Sequence, residues 1–131
     1  IDLSKFRAGK IQGWGNTKHN GVSARHPKEA ILAVLTPREC QKSPVYSYLE
    51  HVPDIDHMML CAYERKADSC QGDSGGPLFI TNEKGIVYQI GIVSFGAECG
   101  NSDGLPGMYT RLSSYVNWVK KHIGSPCVPA N

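Results

Sequence analysis

A chain of 131 residues, 40% hydrophobic and 20% charged, has the composition of a soluble globular domain, or of a piece of one, since all-β enzyme domains often reach about 200–250 residues. Its 14 basic and 12 acidic residues are mixed along the sequence for a net charge of +2, which is too balanced for nucleic-acid or anionic-membrane binding. No apolar run approaches the roughly 18 residues of a membrane-spanning helix, and the opening Ile1-Asp2-Leu3-Ser4 is not a signal peptide, which decides nothing because a mature secreted chain has lost its own.

In chain order, short β-type runs alternate with turns rich in Gly and Pro. The first is Ala30-Ile31-Leu32-Ala33-Val34-Leu35, stopped by Thr36-Pro37. Residues 77–80 and 86–93 flank a five-residue loop, 81–85, of hairpin length. Residues 108–112 supply a last strand. The pattern predicts an antiparallel barrel or sandwich. One helix is predicted near the end, with Ser113 or Ser114 as its cap. Leu112, Tyr115, Val116, Val119 and Ile123 share a face at three- and four-residue spacing. Lys120, Lys121 and His122 suit the negative end of its dipole, and Gly124 terminates it. There is no repeat, low-complexity tract or inter-domain linker.

The five cysteines, Cys40, Cys61, Cys70, Cys99 and Cys127, include no Cys-x-x-Cys pair, which argues against a zinc or redox site. Scattered among Gly and Pro, they favour disulfides in an oxidising, extracellular compartment, and their odd number leaves one free or bonded to another chain. His51 and His57 lie near Asp54 and Asp56, but this spacing matches no metal-ligand motif; no metal and no cofactor are expected.

The stretch Asp68-Ser69-Cys70-Gln71-Gly72-Asp73-Ser74-Gly75-Gly76-Pro77-Leu78 carries chemistry. A serine attacks a carbonyl only when a base takes its proton and donors hold the oxyanion. Glycines around it let the backbone turn tightly, so that the amides of Gly72 and Ser74 can form an oxyanion hole. Gly72-x-Ser74-x-Gly76 alone also fits an ordinary Gly-rich turn, or an α/β-hydrolase elbow with Asp103 and His122 following. The elbow demands a helix after the serine, whereas residues 77–80 read as a strand.

The full stretch resembles the trypsin/chymotrypsin family, and four other segments agree in that family's order. Gly13-Trp14-Gly15-Asn16-Thr17 resembles the opening strand of its second barrel, and Met59-Leu60-Cys61-Ala62 the strand before the specificity loop. Gly91-Ile92-Val93-Ser94-Phe95-Gly96 resembles the strand that pairs with substrate backbone, and Pro106-Gly107-Met108-Tyr109-Thr110 with the following helix resembles the close. The likeness runs from about Ile11 to Ile123. It implies an all-β fold: residues 1–131 are the second six-stranded antiparallel β-barrel of a trypsin-like double barrel, with a C-terminal α-helix at 113–123. It implies Ser74 as nucleophile and Asp68 at the base of a primary pocket that takes a substrate Arg or Lys, with Ser69 adding a hydroxyl. Ser94, Phe95 and Gly96 would line substrate, and Gly96 and Gly107 would leave the pocket walls open. Such an enzyme is a secreted serine endopeptidase acting on proteins or peptides.

The resemblance also implies the disulfides Cys40–Cys61 and Cys70–Cys99. A further family pair has Gly9 and Ile80 at its positions, so both members are missing together. Cys127 has no mate here and is expected to bridge to another chain. Three departures stand out: Phe95 occupies a position usually held by Trp, Glu98 one usually held by Gly, and residues 41–58 form an enlarged loop.

A serine nucleophile needs a histidine oriented by a carboxylate. In this family both come from the first barrel, and no Ala-Ala-His-Cys segment occurs here; none of His19, His26, His51, His57 or His122 is expected to be the base. An N-terminal half on a separate chain is therefore expected to carry the His and Asp of an activated, two-chain zymogen product. Active family members insert an Ile or Val amino terminus beside the acid preceding the nucleophile, here Asp73. Ile1-Asp2-Leu3-Ser4 does not match that start and lies too close to Gly13, so the partner's amino group is expected to pair with Asp73. The rival expectation is a catalytically inactive homologue that binds a partner or serves as a cofactor. No Asn-x-Ser/Thr sequon occurs, so N-glycosylation is not expected.

Overall fold

The structure, a computed structural model, describes residues 6–17, 20–48, 54–63, 70, 72–96 and 105–124. Six strands form it: β1 (Ala8–Gly13), β2 (Lys28–Leu35), β3 (Met59–Tyr63), β4 (Pro77–Thr81), β5 (Val87–Phe95) and β6 (Gly107–Arg111). They pair antiparallel in the order β1-β2-β3-β6-β5-β4, and β4 returns to β1 to close a barrel. Closure gives every strand two neighbours and leaves no open sheet edge. Between β2 and β3 lie α1 (Pro37–Gln41), a 3₁₀ turn (Pro44–Tyr48) and α2 (Ile55–Met58). After β6 a 3₁₀ turn (Leu112–Tyr115) leads into α3 (Val116–Ile123).

Alternation decides which side chains fill the barrel. In β2, Leu32 and Val34 are buried while Ile31 faces solvent. Leu78 and Ile80 do the same from β4, and Ile11, Leu60, Ile90, Val93 and Tyr109 complete the interior from the other strands. Burying each of the aliphatic ones is worth about 1.5–3 kcal/mol. Gly91 is bare because the space is full: a Cβ there would lie 3.2 Å from Tyr109 Cβ and 3.3 Å from Leu78 Cβ.

The expected all-β barrel with a closing helix is present, with three local differences. The opening strand is Ala8–Gly13, ending where the Gly-Trp-Gly motif starts; beyond it Asn16 makes an isolated bridge to Ser23. The closing helix begins as a 3₁₀ turn, and neither serine caps it. Tyr115 is the N-cap without a side-chain bond, and the Ser114 hydroxyl instead donates to the His57 carbonyl, tying this corner to α2. The enlarged loop is partly helical, and the Asp56 carboxylate holds it by accepting from the Tyr46 hydroxyl (2.9 Å) and Gln41 Nε2 (3.1 Å).

The Cys40–Cys61 disulfide is present and joins α1 to β3 across a sequence separation of 21, with Cα atoms 6.0 Å apart. A capping box starts α1: Thr36 Oγ1 accepts from Glu39 N–H, and the Glu39 carboxylate accepts from Thr36 N–H at 2.8 Å. The same carboxylate accepts two bonds from the Arg7 guanidinium, at 2.8 and 3.3 Å. Arg7 first, then the Thr36 amide and hydroxyl, hold the Glu39 carboxyl down from 4.5 to about 2.

Opening the 21-residue loop by replacing Cys40 and Cys61 with Ser should lower stability by about 3 kcal/mol, read by urea unfolding. Glu39 sets a pH dependence. Its folded pKa is depressed, so its contribution is fully present above pH 4.5 and is lost as pH falls toward about 2. Glu39→Gln should remove that slope, so that acid-unfolding curves of the two proteins differ above pH 4.5 and converge near pH 2.

Candidate active site

The turn 72–76 sits between β3 and the start of β4. Gly72 (φ +96°) and Gly75 (φ +84°) take left-handed backbone that side chains disfavour. Gly76 is bare for a different reason: a Cβ there would lie 2.9 Å from the Asp73 carbonyl oxygen. Four backbone hydrogen bonds of 2.9 Å fix the turn. Asp73 N–H donates to Cys70 O and Gly76 N–H to Asp73 O; Gly75 N–H donates to Val93 O, and Val93 N–H to Gly76 O. The last two clamp the turn to β5.

Asp73 is the centre of this arrangement. Its Oδ1 accepts from Gly15 N–H at 2.7 Å and its Oδ2 from Cys70 N–H at 2.8 Å. The carboxylate thus links the end of β1 to the turn 72–76 across 58 residues. Next along the chain, Ser74 is exposed, and no described residue hydrogen-bonds its hydroxyl. The residues after it enter β4, a strand, so the turn is not an α/β-hydrolase elbow.

Ser94, Phe95 and Gly96 follow directly from the clamp at Val93 and are exposed at the end of β5. Gly107 opens the neighbouring strand β6 and is buried, and Phe95 pairs with Met108 across a register irregularity. The structure therefore brings Ser74, residues 94–96 and Gly107 to one end of the barrel. Asp68, Ser69, Glu98, Cys99, Asp103, Cys127, His19 and His51 lie outside the described residues. Cys70 is disulfide-bonded.

None of the described histidines meets Ser74. His57 Nδ1 lies 4.0 Å from Asp54 Oδ1, and His122 Nδ1 is 2.7 Å from the Trp118 carbonyl with its ring stacked on that indole. His26 precedes β2. Among the described residues no cluster of His, Cys, Asp and Glu could hold a metal ion, and no helix is long and apolar enough to cross a membrane.

Two hollows adjoin the site elements. One, of about 300 Å³, is lined by Asp73, Gly13, Gly15, Lys28 and Val93, among others. The second, of about 360 Å³, is wholly apolar and lies between Ile92 and Thr110 of the barrel wall and Leu112, Tyr115, Trp118 and Val119. Of the helix face predicted to be apolar, Leu112, Tyr115 and Val119 are half-buried while Val116 and Ile123 are exposed, and Trp118 beside it is 62% exposed. Sequence reasoning gave Gly13 and Gly15 no part in the site, although they surround its carboxylate. No local signal marks them, because the Asp73 carboxyl group they surround comes from 58 residues or more along the chain.

A family model described as Trypsin matches residues 4–119. The hepatocyte growth factor activator serine protease of Homo sapiens is 39% identical over 130 residues, covering 94% of this chain but 19% of that protein. The clotting factor G beta subunit of Tachypleus tridentatus is 43% identical over 115 residues, covering 85% of this chain and 37% of that protein. The transmembrane protease serine 11G of Rattus norvegicus is 38% identical over 112 residues, covering 84% and 25%. The chain thus spans well under half the length of these relatives. With its closed antiparallel barrel, its exposed serine on a glycine turn and a match over nearly its whole length, the chain belongs to the trypsin family of serine proteases.

Proposed function

We propose that this chain is the nucleophile-bearing half of a secreted serine endopeptidase that cleaves after Arg or Lys. The observation that carries the reading is Ser74 itself: exposed, with no hydrogen bond to its hydroxyl among the described residues, and adjacent to a carboxylate that two backbone amides anchor. In the proposed reaction the Ser74 oxygen attacks the scissile carbonyl while a histidine takes its proton. The amides of Gly72 and Ser74 hold the oxyanion, and the amine leaves to give an acyl-enzyme that water hydrolyses.

The histidine and its carboxylate come from an N-terminal half outside these 131 residues. The uncovered apolar hollow bordered by Ile92, Thr110 and Trp118 supports a packed neighbour on that face. An amino group of that half enters the hollow beside Asp73 and neutralises the carboxylate, completing the oxyanion hole. Asp68 at the pocket base accepts a charge-assisted hydrogen bond from the substrate cation, with Ser69 beside it, and Ser94 to Gly96 run along substrate backbone. Cys70–Cys99 ties the nucleophile loop to the pocket wall, and Cys127 bridges to another chain. Disulfide-bonded cysteines favour an oxidising, extracellular compartment.

Treated with an Arg-directed phosphonate, the native protease with both halves present should be modified at Ser74, read by mass spectrometry, and an Arg-mimicking inhibitor should block this. Ser74→Ala should lower kcat/KM by about 10⁴-fold or more. Absence of labelling, with the companion half present and folded, would assign the chain to a noncatalytic homologue that binds a partner. Asp68→Ala should cut kcat/KM for Arg and Lys substrates by about a hundredfold or more, with little change for Phe substrates; faster turnover of Phe than of Arg substrates by the native enzyme would overturn the specificity.

A further inference from the structure

We infer that Gly13 is a positioning residue for the nucleophile turn: its missing side chain is the seat of the Asp73 carboxylate, and filling that seat displaces Asp73 and misaligns Ser74. The functional half of this inference rests on the serine-protease reading above; the contact itself does not.

The geometry is specific. A Cβ on Gly13 would overlap Asp73 Oδ1 and lie 2.8 Å from Asp73 Cγ, and the next nearest atom, Asp73 Cβ, would be 3.5 Å away. All three nearest neighbours of that methyl belong to Asp73. A Cβ on Gly15 would likewise overlap the Asp73 carboxyl group. Neither glycine has the positive φ found at Gly72 and Gly75, so backbone conformation does not require glycine at 13 or 15. What excludes a side chain there is the carboxylate.

The seat reaches the reacting serine through the chain. Gly15 N–H and Cys70 N–H hold the two carboxylate oxygens, while the main chain of Asp73 donates to Cys70 O and accepts from Gly76 N–H. Side chain and main chain of one residue are thus fixed from opposite sides, and the peptide groups on either side of Asp73 belong to Gly72 and Ser74. A carboxylate pushed from its seat leaves the Gly15 and Cys70 amides without their acceptor and frees the turn to rotate. Gly13 is the cleaner probe of the pair, because it keeps its own place in the β1–β2 ladder opposite Lys28 and supplies no hydrogen bond to Asp73.

The test is a double-mutant cycle in the complete protease, with Gly13→Ala and Asp73→Ala made singly and together. Thermal midpoint and the rate of Ser74 labelling by the phosphonate are the readouts. Gly13→Ala alone should slow labelling at least tenfold and lower the midpoint. Added to Asp73→Ala, which removes the carboxylate, it should change neither further. If Gly13→Ala yields no folded protein, recovery of folded protein in the double variant supports the seat, and failure to recover overturns it. Equal losses in both backgrounds, or no loss in the native one, would also overturn it. If the native protease itself does not label, the enzymatic reading fails, and the midpoint cycle still decides the contact.

Discussion

The site is organised by one carboxylate. Asp73 is half-buried, and two backbone amides converge on it, one from the distant Gly15 after β1 and one from Cys70 just before the serine turn. A partly desolvated anion needs such donors, because burying it without them costs several kcal/mol. The demand runs both ways. The anion fixes where the end of β1 and the turn 72–76 stand relative to each other, and the glycines at 13, 15 and 76 exist in the spaces it and its main chain occupy.

The barrel makes that convergence possible. Closing β4 onto β1 puts residues 8–13 beside residues 77–81, although they are far apart in sequence. The clamp at Val93 then draws the end of β5 to the same place, and β6 follows by pairing with β5. The meeting of Ser74, residues 94–96 and Gly107 at one end of the barrel is therefore a property of strand order more than of any one loop. Elements outside the barrel, such as the loop 41–58, are secured separately, by a disulfide, by the bonds to Asp56 and by the Ser114 hydroxyl.

Much of this was legible in the sequence, for physical reasons. Residues 30–35, 77–80 and 86–93 are apolar or β-branched runs bounded by turns, and each became a strand whose ends moved by two residues or fewer. The serine turn was legible because glycines with positive φ leave a compositional mark. What misled was Gly13-Trp14-Gly15-Asn16-Thr17, placed in the opening strand by resemblance, whereas that strand ends at Gly13 and a side chain at Gly13 or Gly15 would meet a carboxyl group 58 residues or more away. Tertiary clearance of that kind has no local signature. The serine caps failed similarly: Ser114 found the His57 carbonyl, a partner brought by folding and not by sequence proximity. Asp73 itself was identified, but only the structure shows which amides it holds.

The apolar hollow beside α3 has a consequence for how such a protein is made. Trp118 and Ile123 are more than half exposed, and Trp118 borders an apolar concavity with Leu112, Tyr115 and Val119. Exposed apolar surface of this kind marks a place where a neighbour packs or an aggregation liability. Wherever that surface is left bare, it is what chaperones grip and what drives neighbouring copies to clump. Yield and colloidal behaviour of the isolated polypeptide thereby depend on a handful of side chains on its last helix, even when the serine turn is in order.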